Sequence, residues 1–214
     1  MNTPSPAHLQ RPRFQSRVVP VITLASAEEA VPLAHALLAG GIDVMEITLR
    51  SEAGLPGIEA VARAVPQMCV GAGTVTQVAD VQRVVNAGAT FALSPGCTDA
   101  LVQAVAQAKL PFMPGVMTPS EVMRARDHGF KLMKLFPASQ AGGKGMLQAL
   151  GAPLADVQFC PTGGVSLANL REFLALPNVA MAGGSWLTPA HLMHEGQWGR
   201  ITELARQATQ ASQA

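Results

Sequence analysis

The chain has 214 residues, 49% of them hydrophobic, and its 15 basic and 14 acidic side chains leave a formal net charge of +1. This length and composition suit one domain with a large apolar core. Balanced charge argues against a nucleic-acid surface or a polybasic membrane patch, and no apolar run is long enough to span a bilayer. We therefore expect a cytoplasmic domain of residues 18–214 after a polar N-terminal extension of residues 1–17.

The three cysteines, Cys69, Cys97 and Cys160, are too few and too far apart for a disulfide framework or a zinc site. Each falls inside or just after a strand-like run, which is typical of a small buried hydrophobic side chain. The sequence also shows no His/Asp/Glu cluster at strand ends. We expect neither a metal nor a cofactor.

Short apolar runs typical of strands alternate with helical segments along the chain. Ser26 and Glu29 form a capping box after the first strand, and Thr118 and Glu121 form a second one, with Pro119 at the first helical position. Thr98 and Ser166 are predicted caps of two further helices. The predicted strands cover residues 18–24, 44–49, 69–75, 91–95, 111–116, 132–137, 158–161 and 179–182, and a last helix covers about residues 198–210.

Eight strand–helix units with nearly continuous apolar strands predict a parallel sheet covered by helices. Eight units favour an α/β fold of the closed (β/α)₈ type, the TIM barrel. A doubly wound open sheet is the alternative. Such a sheet normally carries a glycine-rich fingerprint after its first strand, and here residues 24–26 are Leu-Ala-Ser.

Lys134 lies in the middle of the apolar strand 132–137. An isolated ammonium is costly in an apolar site and tends to lose its proton. The lysine is therefore either paired with a buried carboxylate, extended to the surface, or a neutral amine that attacks a carbonyl. Of the other lysines, Lys109 precedes the fifth strand. Lys131 enters the sixth strand but would point to the opposite face from Lys134. Lys144 lies in a glycine-rich stretch, residues 140–145, that is predicted to be a loop. Only Lys134 is expected to face the barrel interior.

A second strand carries polar side chains on one face. Glu46, Thr48 and Arg50 alternate with apolar residues, so they are predicted to point into the barrel. Glu46 and Arg50 are about 13 Å apart along an extended strand, which argues against a simple ion pair. Glu46 is deep enough to transfer a proton, Arg50 lies at the rim where it can bind an anion, and Thr74 adds a hydroxyl at the same level.

Two strands end in paired glycines. Gly163 and Gly164 follow one strand, and Gly184 follows the last strand together with Ser185. Glycine lets backbone N–H groups approach a ligand closely, and barrels often bind phosphate after strands seven and eight. Turns also need glycine for their backbone, but two such pairs at these two strand ends favour a phosphate site over plain turns.

From about residue 18 onward, the chain resembles the 2-keto-3-deoxy-6-phosphogluconate/4-hydroxy-2-oxoglutarate (KDPG/KHG) aldolases, a class I, metal-independent family. The resemblance rests on Val-Val-Pro-Val at 18–21, Glu-Ile-Thr-Leu-Arg at 46–50, Gly-Ala-Gly-Thr-Val at 71–75, Ser-Pro-Gly at 94–96, Lys-Leu-Phe-Pro-Ala at 134–138, Phe-Cys-Pro-Thr-Gly-Gly at 159–164 and Gly-Gly-Ser-Trp-Leu at 183–187.

The resemblance implies that Lys134 forms a Schiff base and that Glu46 is the acid/base, usually acting through a water. It implies substrate contacts from Arg50, Thr74, Pro95, Phe136 and Thr162, and phosphate contacts from Gly163, Gly164, Gly184 and Ser185. The implied substrate is a phosphorylated 2-keto-3-deoxy sugar acid that yields pyruvate, and the implied assembly is a homotrimer. A phosphosugar isomerase or decarboxylase, and an inactive barrel that senses a phosphorylated ligand, are the alternatives from the residues alone.

Overall fold

The structure is a computed structural model that describes residues 6–213. Its strands are β1 Val18–Ile22, β2 Val44–Thr48, β3 Cys69–Gly73, β4 Phe91–Leu93, β5 Phe112–Met113, β6 Gly115–Val116, β7 Leu132–Leu135, β8 Gln158–Pro161 and β9 Ala182–Gly184. They all pair in parallel, in a six-stranded sheet of order β5-β4-β3-β2-β1-β9 and a three-stranded sheet of order β6-β7-β8. The predicted α/β architecture is confirmed.

Helices separate most successive strands. They are α1 Ala30–Ala39, α2 Gly54–Ala64, α3 Val78–Asn86, α4 Asp99–Gln107, α5 Pro119–Asp127, α6 Gly143–Gly151, α7 Leu170–Leu174, α8 Ala190–His194 and α9 Trp198–Gln213. Two short 3₁₀ helices cover Ala7–Leu9 and Ala27–Glu29. Within residues 6–213, none of the helices combines the length and apolar character that a membrane span requires.

The two sheets meet at two places in the chain. β5 and β6 were predicted as one strand over residues 111–116, but they are separated by Pro114, which has no N–H to donate to a ladder. Isolated bridges between Phe159 and Val179 and between Thr162 and Gly183 join β8 to the segment that contains β9. The last strand was predicted at residues 179–182; it lies at Ala182–Gly184, where it pairs with β1.

The predicted helix starts are largely present. Both capping boxes, at Ser26 and Thr118, are formed, and the Thr98 hydroxyl accepts a hydrogen bond from the backbone N–H of Leu101. The Ser166 prediction is wrong, because α7 begins at Leu170 and the Asn169 side chain instead accepts a bond from the Ser166 N–H.

The glycine-rich stretch at residues 140–145 was predicted as a loop, which holds for the turn at residues 140–142 but is wrong for residues 143–145, where α6 begins. Gly142 has φ 101°, a left-handed conformation that suits glycine, and α6 begins directly after it with Lys144 in its first turn.

A continuous apolar core fills the space between strands and helices, and Phe91, Phe130 and Phe159 are among its largest fully buried side chains. Burying each such side chain contributes about 1.5–3 kcal/mol. Phe14, in the predicted N-terminal extension, packs on Phe91 with ring centroids 5.8 Å apart. The first five residues of that extension lie outside the described range. Because the strands are parallel, their carboxyl ends meet on one side of this core.

Candidate active site

Lys134 and Glu46 form a buried ion pair in the interior. The Lys134 Nζ donates to the Glu46 Oε1 over 2.9 Å, and their side chains are 3% and 1% exposed. Lys134 lies on β7 and Glu46 on β2, in different sheets, so only the tertiary fold brings them together. The structure therefore shows the first of the three predicted arrangements of Lys134, pairing with a buried carboxylate. The same contact allows a proton to pass from the amine to the carboxylate.

Glu46 is buried more deeply than a residue at the open mouth of a barrel would be. A glycine on the neighbouring strand makes the room: a Cβ at Gly73 would lie 2.7 Å from Glu46 Cγ and 2.8 Å from Cδ. The sequence analysis missed this role of Gly73. A carboxylate on the polar face of one strand, beside glycines in the next strand, is the signal that could have found it.

Arg50 and Thr74 form a second polar pair nearer the rim. The Arg50 Nε donates to the Thr74 hydroxyl over 3.1 Å, so Arg50 and Glu46 have separate partners, as their spacing predicted. Thr74 has φ 60°, a left-handed backbone that is unusual for a β-branched residue. Such outliers concentrate at binding and catalytic sites, because the surrounding structure must hold them in place.

A small pocket of about 110 Å³ opens where the strands end. It is much smaller than a site that encloses a whole small molecule, about 300–1,000 Å³, and suits one group of a larger ligand. Gly163 and Gly164 have φ 97° and 80°, which turns the chain sharply beside the cavity. The pocket brings together most of the predicted contact residues, since its lining is Val21, Arg50, Phe136, Thr162, Gly163, Gly164, Val165, Gly184 and Ser185.

Phe136 connects this pocket with the ion pair, because its ring also lies 5.4 Å from the Lys134 Nζ. Pro95 is not brought into the pocket. It is exposed after β4, and its backbone packs closely against Gly115, where a Cβ would find no room. Larger cavities occur elsewhere, and Lys134 and Glu46 line none of them. The two residues do not line the small pocket either, and Phe136 is the lining residue that contacts Lys134.

Cys160 is the register partner of Lys134 on the adjacent strand and is almost fully buried. Burial raises the pKa of its thiol to about 12, so the sulfur stays protonated at neutral pH and offers no competing base beside the amine. Across the described range, no group of three or more His, Cys, Asp or Glu side chains has an arrangement that could hold a metal ion.

Comparison with known proteins gives one consistent result. The chain matches the family described as KDPG and KHG aldolase over residues 12–204. It is 50% identical to the 2-dehydro-3-deoxy-phosphogluconate aldolase of Pseudoalteromonas atlantica over 194 residues, covering 91% of this chain and 90% of that protein. It is 48% identical to the KHG/KDPG aldolase of Escherichia coli K12 over 195 residues, covering 91% and 92%.

Among solved structures, the chain resembles the KDPG aldolase of Legionella pneumophila with a TM-score of 0.89 and 43% identity, covering 91% of this chain and 94% of that one. That structure holds pyruvate, captured at low pH as a covalent carbinolamine intermediate. The 4-hydroxy-2-oxoglutarate/KDPG aldolase from TTHB1 gives a TM-score of 0.84 and 34% identity, covering 92% and 94%. With a family match across most of its length and relatives at this identity, the chain belongs to the KDPG and KHG aldolase family.

Proposed function

We propose that this protein is a class I aldolase that cleaves 2-dehydro-3-deoxy-6-phosphogluconate to pyruvate and glyceraldehyde 3-phosphate. It also cleaves 4-hydroxy-2-oxoglutarate to pyruvate and glyoxylate. The observation that carries the proposal is the buried contact of 2.9 Å between the Lys134 amine and the Glu46 carboxylate. A lysine and a proton acceptor in contact, beneath a pocket at the strand ends, are the groups that imine chemistry needs.

Transfer of one proton to Glu46 leaves the Lys134 amine able to attack the C2 ketone of the substrate. Addition gives a carbinolamine. Glu46 returns its proton to the carbinolamine hydroxyl, which leaves as water, so that an iminium ion forms and Glu46 is a carboxylate again. The iminium accepts the electron pair of the C3–C4 bond as Glu46, directly or through a water, removes the proton of the C4 hydroxyl. The aldehyde leaves, and protonation and hydrolysis of the remaining enamine release pyruvate and regenerate the amine.

The substrate's two anionic ends take different parts of the site. Arg50 and Thr74, joined by their 3.1 Å hydrogen bond, bind the carboxylate, because a guanidinium next to a hydroxyl offers several donors to it. Gly163, Gly164, Gly184 and Ser185 bind the phosphate at the small pocket. Pro95, Phe136 and Thr162 contact the carbon chain between them.

The assembly proposals follow from the family. We propose a single closed (β/α)₈ barrel over residues 18–214, supported by the bridges that join β8 to the β9 segment and by the short gap at Pro114. We also propose that the protein is cytoplasmic and that it forms a homotrimer. Light scattering on the purified chain measures the molar mass and so tests the trimer. A monomeric mass would contradict the trimer without affecting the chemistry.

Reductive trapping tests the function. Incubation with pyruvate and borohydride is expected to add one pyruvate-derived group per chain, found by peptide mass on Lys134, because reduction fixes the iminium as a stable amine. Lys134→Arg should abolish both trapping and turnover. Lys131→Arg is the matched control, since Lys131 is exposed and paired with Asp156. An adduct distributed over several lysines, or no adduct, would contradict the imine and favour a non-covalent phosphosugar enzyme or a sensor.

A further inference from the structure

A second cavity lies at the opposite ends of the strands from the candidate active site. This amino-terminal pocket, of about 480 Å³, is lined by Ala7, Gln10, Arg11, Pro12, Arg13, Pro66, Gln67, Met68, Cys69, Thr90, Lys109 and Pro111. Residues 66–69, 90 and 109–111 lie at or just before the starts of β3, β4 and β5, so the pocket lies at the amino ends of the strands. Its volume is within the range of small-molecule sites.

Lys109, at the rim of this pocket, occupies a backbone position that glycine fills elsewhere in the fold. The helices α1, α3, α5 and α8 end in the same way. In each, a glycine donates its N–H to the carbonyl three residues before it, and the next residue donates to the carbonyl five residues before itself. These turning glycines have φ between 63° and 93°, and they are Gly41, Gly88, Gly129 and Gly196. Helix α4 ends in that pattern too, but its turning residue is Lys109, with φ 54°. An L side chain is disfavoured there, even though a cation interacts well with a helix carboxyl end. The local backbone therefore does not explain a lysine at this position.

The pocket concentrates positive charge. Arg11, Arg13 and Lys109 all line it, its lining contains no Asp or Glu, and none of the three side chains has a hydrogen-bond or ion-pair partner within residues 6–213. Lys131 and Lys144, by contrast, each pair with a carboxylate. Three cations around one cavity repel each other, and a bound anion relieves that repulsion.

Other charges near the pocket do not neutralise it. Asp43 contributes to the raised pKa of Cys69, whose largest cause is burial, so this carboxylate is close to one wall. Its two oxygens accept bonds from the backbone N–H groups of Gln15 and Ser16, at 2.8 and 3.0 Å. Asp43 is therefore held by the backbone.

We propose that the amino-terminal pocket binds a small polyanion that carries at least two phosphate-type groups. Two guanidinium groups offer the forked donors that match phosphate oxygens, and Lys109 adds a point charge. Met68, Pro66 and Pro111 supply an apolar wall for the remainder of such a molecule. This site is separate from the phosphate turns of Gly163 and Gly184 and does not depend on the proposed reaction.

The test is a titration of the full chain with inorganic pyrophosphate at low ionic strength, followed by amide NMR. Shifts at Arg13 and Lys109 report the amino-terminal pocket, and shifts at Gly163 and Gly184 report the other phosphate site. Lys109→Gly should weaken binding in the pocket about tenfold, because a charge-assisted contact is lost. The variant should fold at least as stably as the parent, since glycine suits the backbone, and should keep its turnover.

Arg200→Gln is the control, because it removes one positive charge from an exposed site on α9 and should leave the affinity unchanged. Equal weakening by both variants would reduce the effect to net charge and overturn the proposal. Pyrophosphate shifts confined to Gly163 and Gly184, up to about 10 mM ligand, would also overturn it while leaving the phosphate site of the aldolase proposal intact.

Discussion

Burying the Lys134–Glu46 ion pair carries a large desolvation penalty. Removing two charges from water often costs as much as their attraction returns, and apolar side chains in the same space are frequently as stable or more so. Both side chains are nearly inaccessible. The pair is therefore better explained by proton transfer than by stability, which agrees with the proposed imine chemistry.

Glu46→Gln tests the carboxylate at this scale. The amide keeps the volume and can still bond to Lys134, but it cannot carry a proton, so kcat for cleavage should fall by about 10²–10⁴-fold. Exchange of the pyruvate methyl protons with deuterated water should slow in parallel, because the same group protonates the enamine. Circular dichroism checks that the variant folds. Cleavage and exchange within about threefold of the parent would mean that another base acts.

Strand parity in the sequence was enough to predict that Lys134 and Glu46 point inward. Their contact could not be predicted in the same way, because it joins residues 88 positions apart on strands of two different sheets. The left-handed backbone of Thr74 was also beyond prediction, since nothing in Gly-Ala-Gly-Thr-Val requires threonine to adopt it.

Among the elements, the turn after β8 contributes most directly to the proposed phosphate site. Gly163 has φ 97°, and its backbone is held against the segment after β7 by the Ser139 N–H, which donates to the Gly163 carbonyl over 3.0 Å. A side chain at this position would strain the turn because of its positive φ, although its Cβ would meet only ordinary contacts at 3.4–3.5 Å. The turn therefore requires glycine here for its backbone conformation.

Gly163→Val should therefore raise KM for the phosphorylated substrate by about tenfold or more, an effect equal to losing one or two hydrogen bonds to a charged group. Cleavage of 4-hydroxy-2-oxoglutarate should change much less, because that substrate has no phosphate. Steady-state kinetics on both substrates give the comparison. Gly145→Val, at an exposed glycine with no neighbour near its Cβ direction, is the control. Equal losses on both substrates would show that the turn is only structural.

The elements that the sequence predicted well have a local chemical signal. Thr118 and Glu121 determine the start of α5 by reciprocal hydrogen bonds, with Pro119 at the first helical position. The break between β5 and β6 at Pro114 and the start of α6 after the left-handed Gly142 also have local causes, but proline and glycine occur in turns and in element boundaries alike. Local patterns were ambiguous at both places.

At the scale of the whole molecule, burial links the cysteines to alkaline stability. Burial raises the pKa of Cys160 to about 12 and that of Cys97 to about 11. Above about pH 9 the unfolded chain releases thiol protons that the folded chain retains, so the unfolded state binds fewer protons and stability falls as pH rises. Below that pH both states keep the proton, and the thiols add no pH dependence.

Urea unfolding of the parent and of Cys160→Ala from pH 8 to pH 11 measures this effect. The parent should lose up to about 1.4 kcal/mol more per pH unit than the variant, which corresponds to one proton. Contributions that the two proteins share cancel in the difference. Parallel curves would mean that the Cys160 thiol ionises as easily in the folded chain as in the unfolded one.

The space that Gly73 leaves for Glu46 has a consequence for how this sequence can change over time. Any side chain at position 73 would overlap the Glu46 carboxylate, so no other residue is tolerated at position 73 while position 46 is glutamate. A shorter acid at position 46 would reopen position 73, but would withdraw its oxygen from Lys134. Positions 46 and 73 are therefore expected to change together in evolution, because the Cβ that Gly73 lacks would occupy the space of the Glu46 carboxylate.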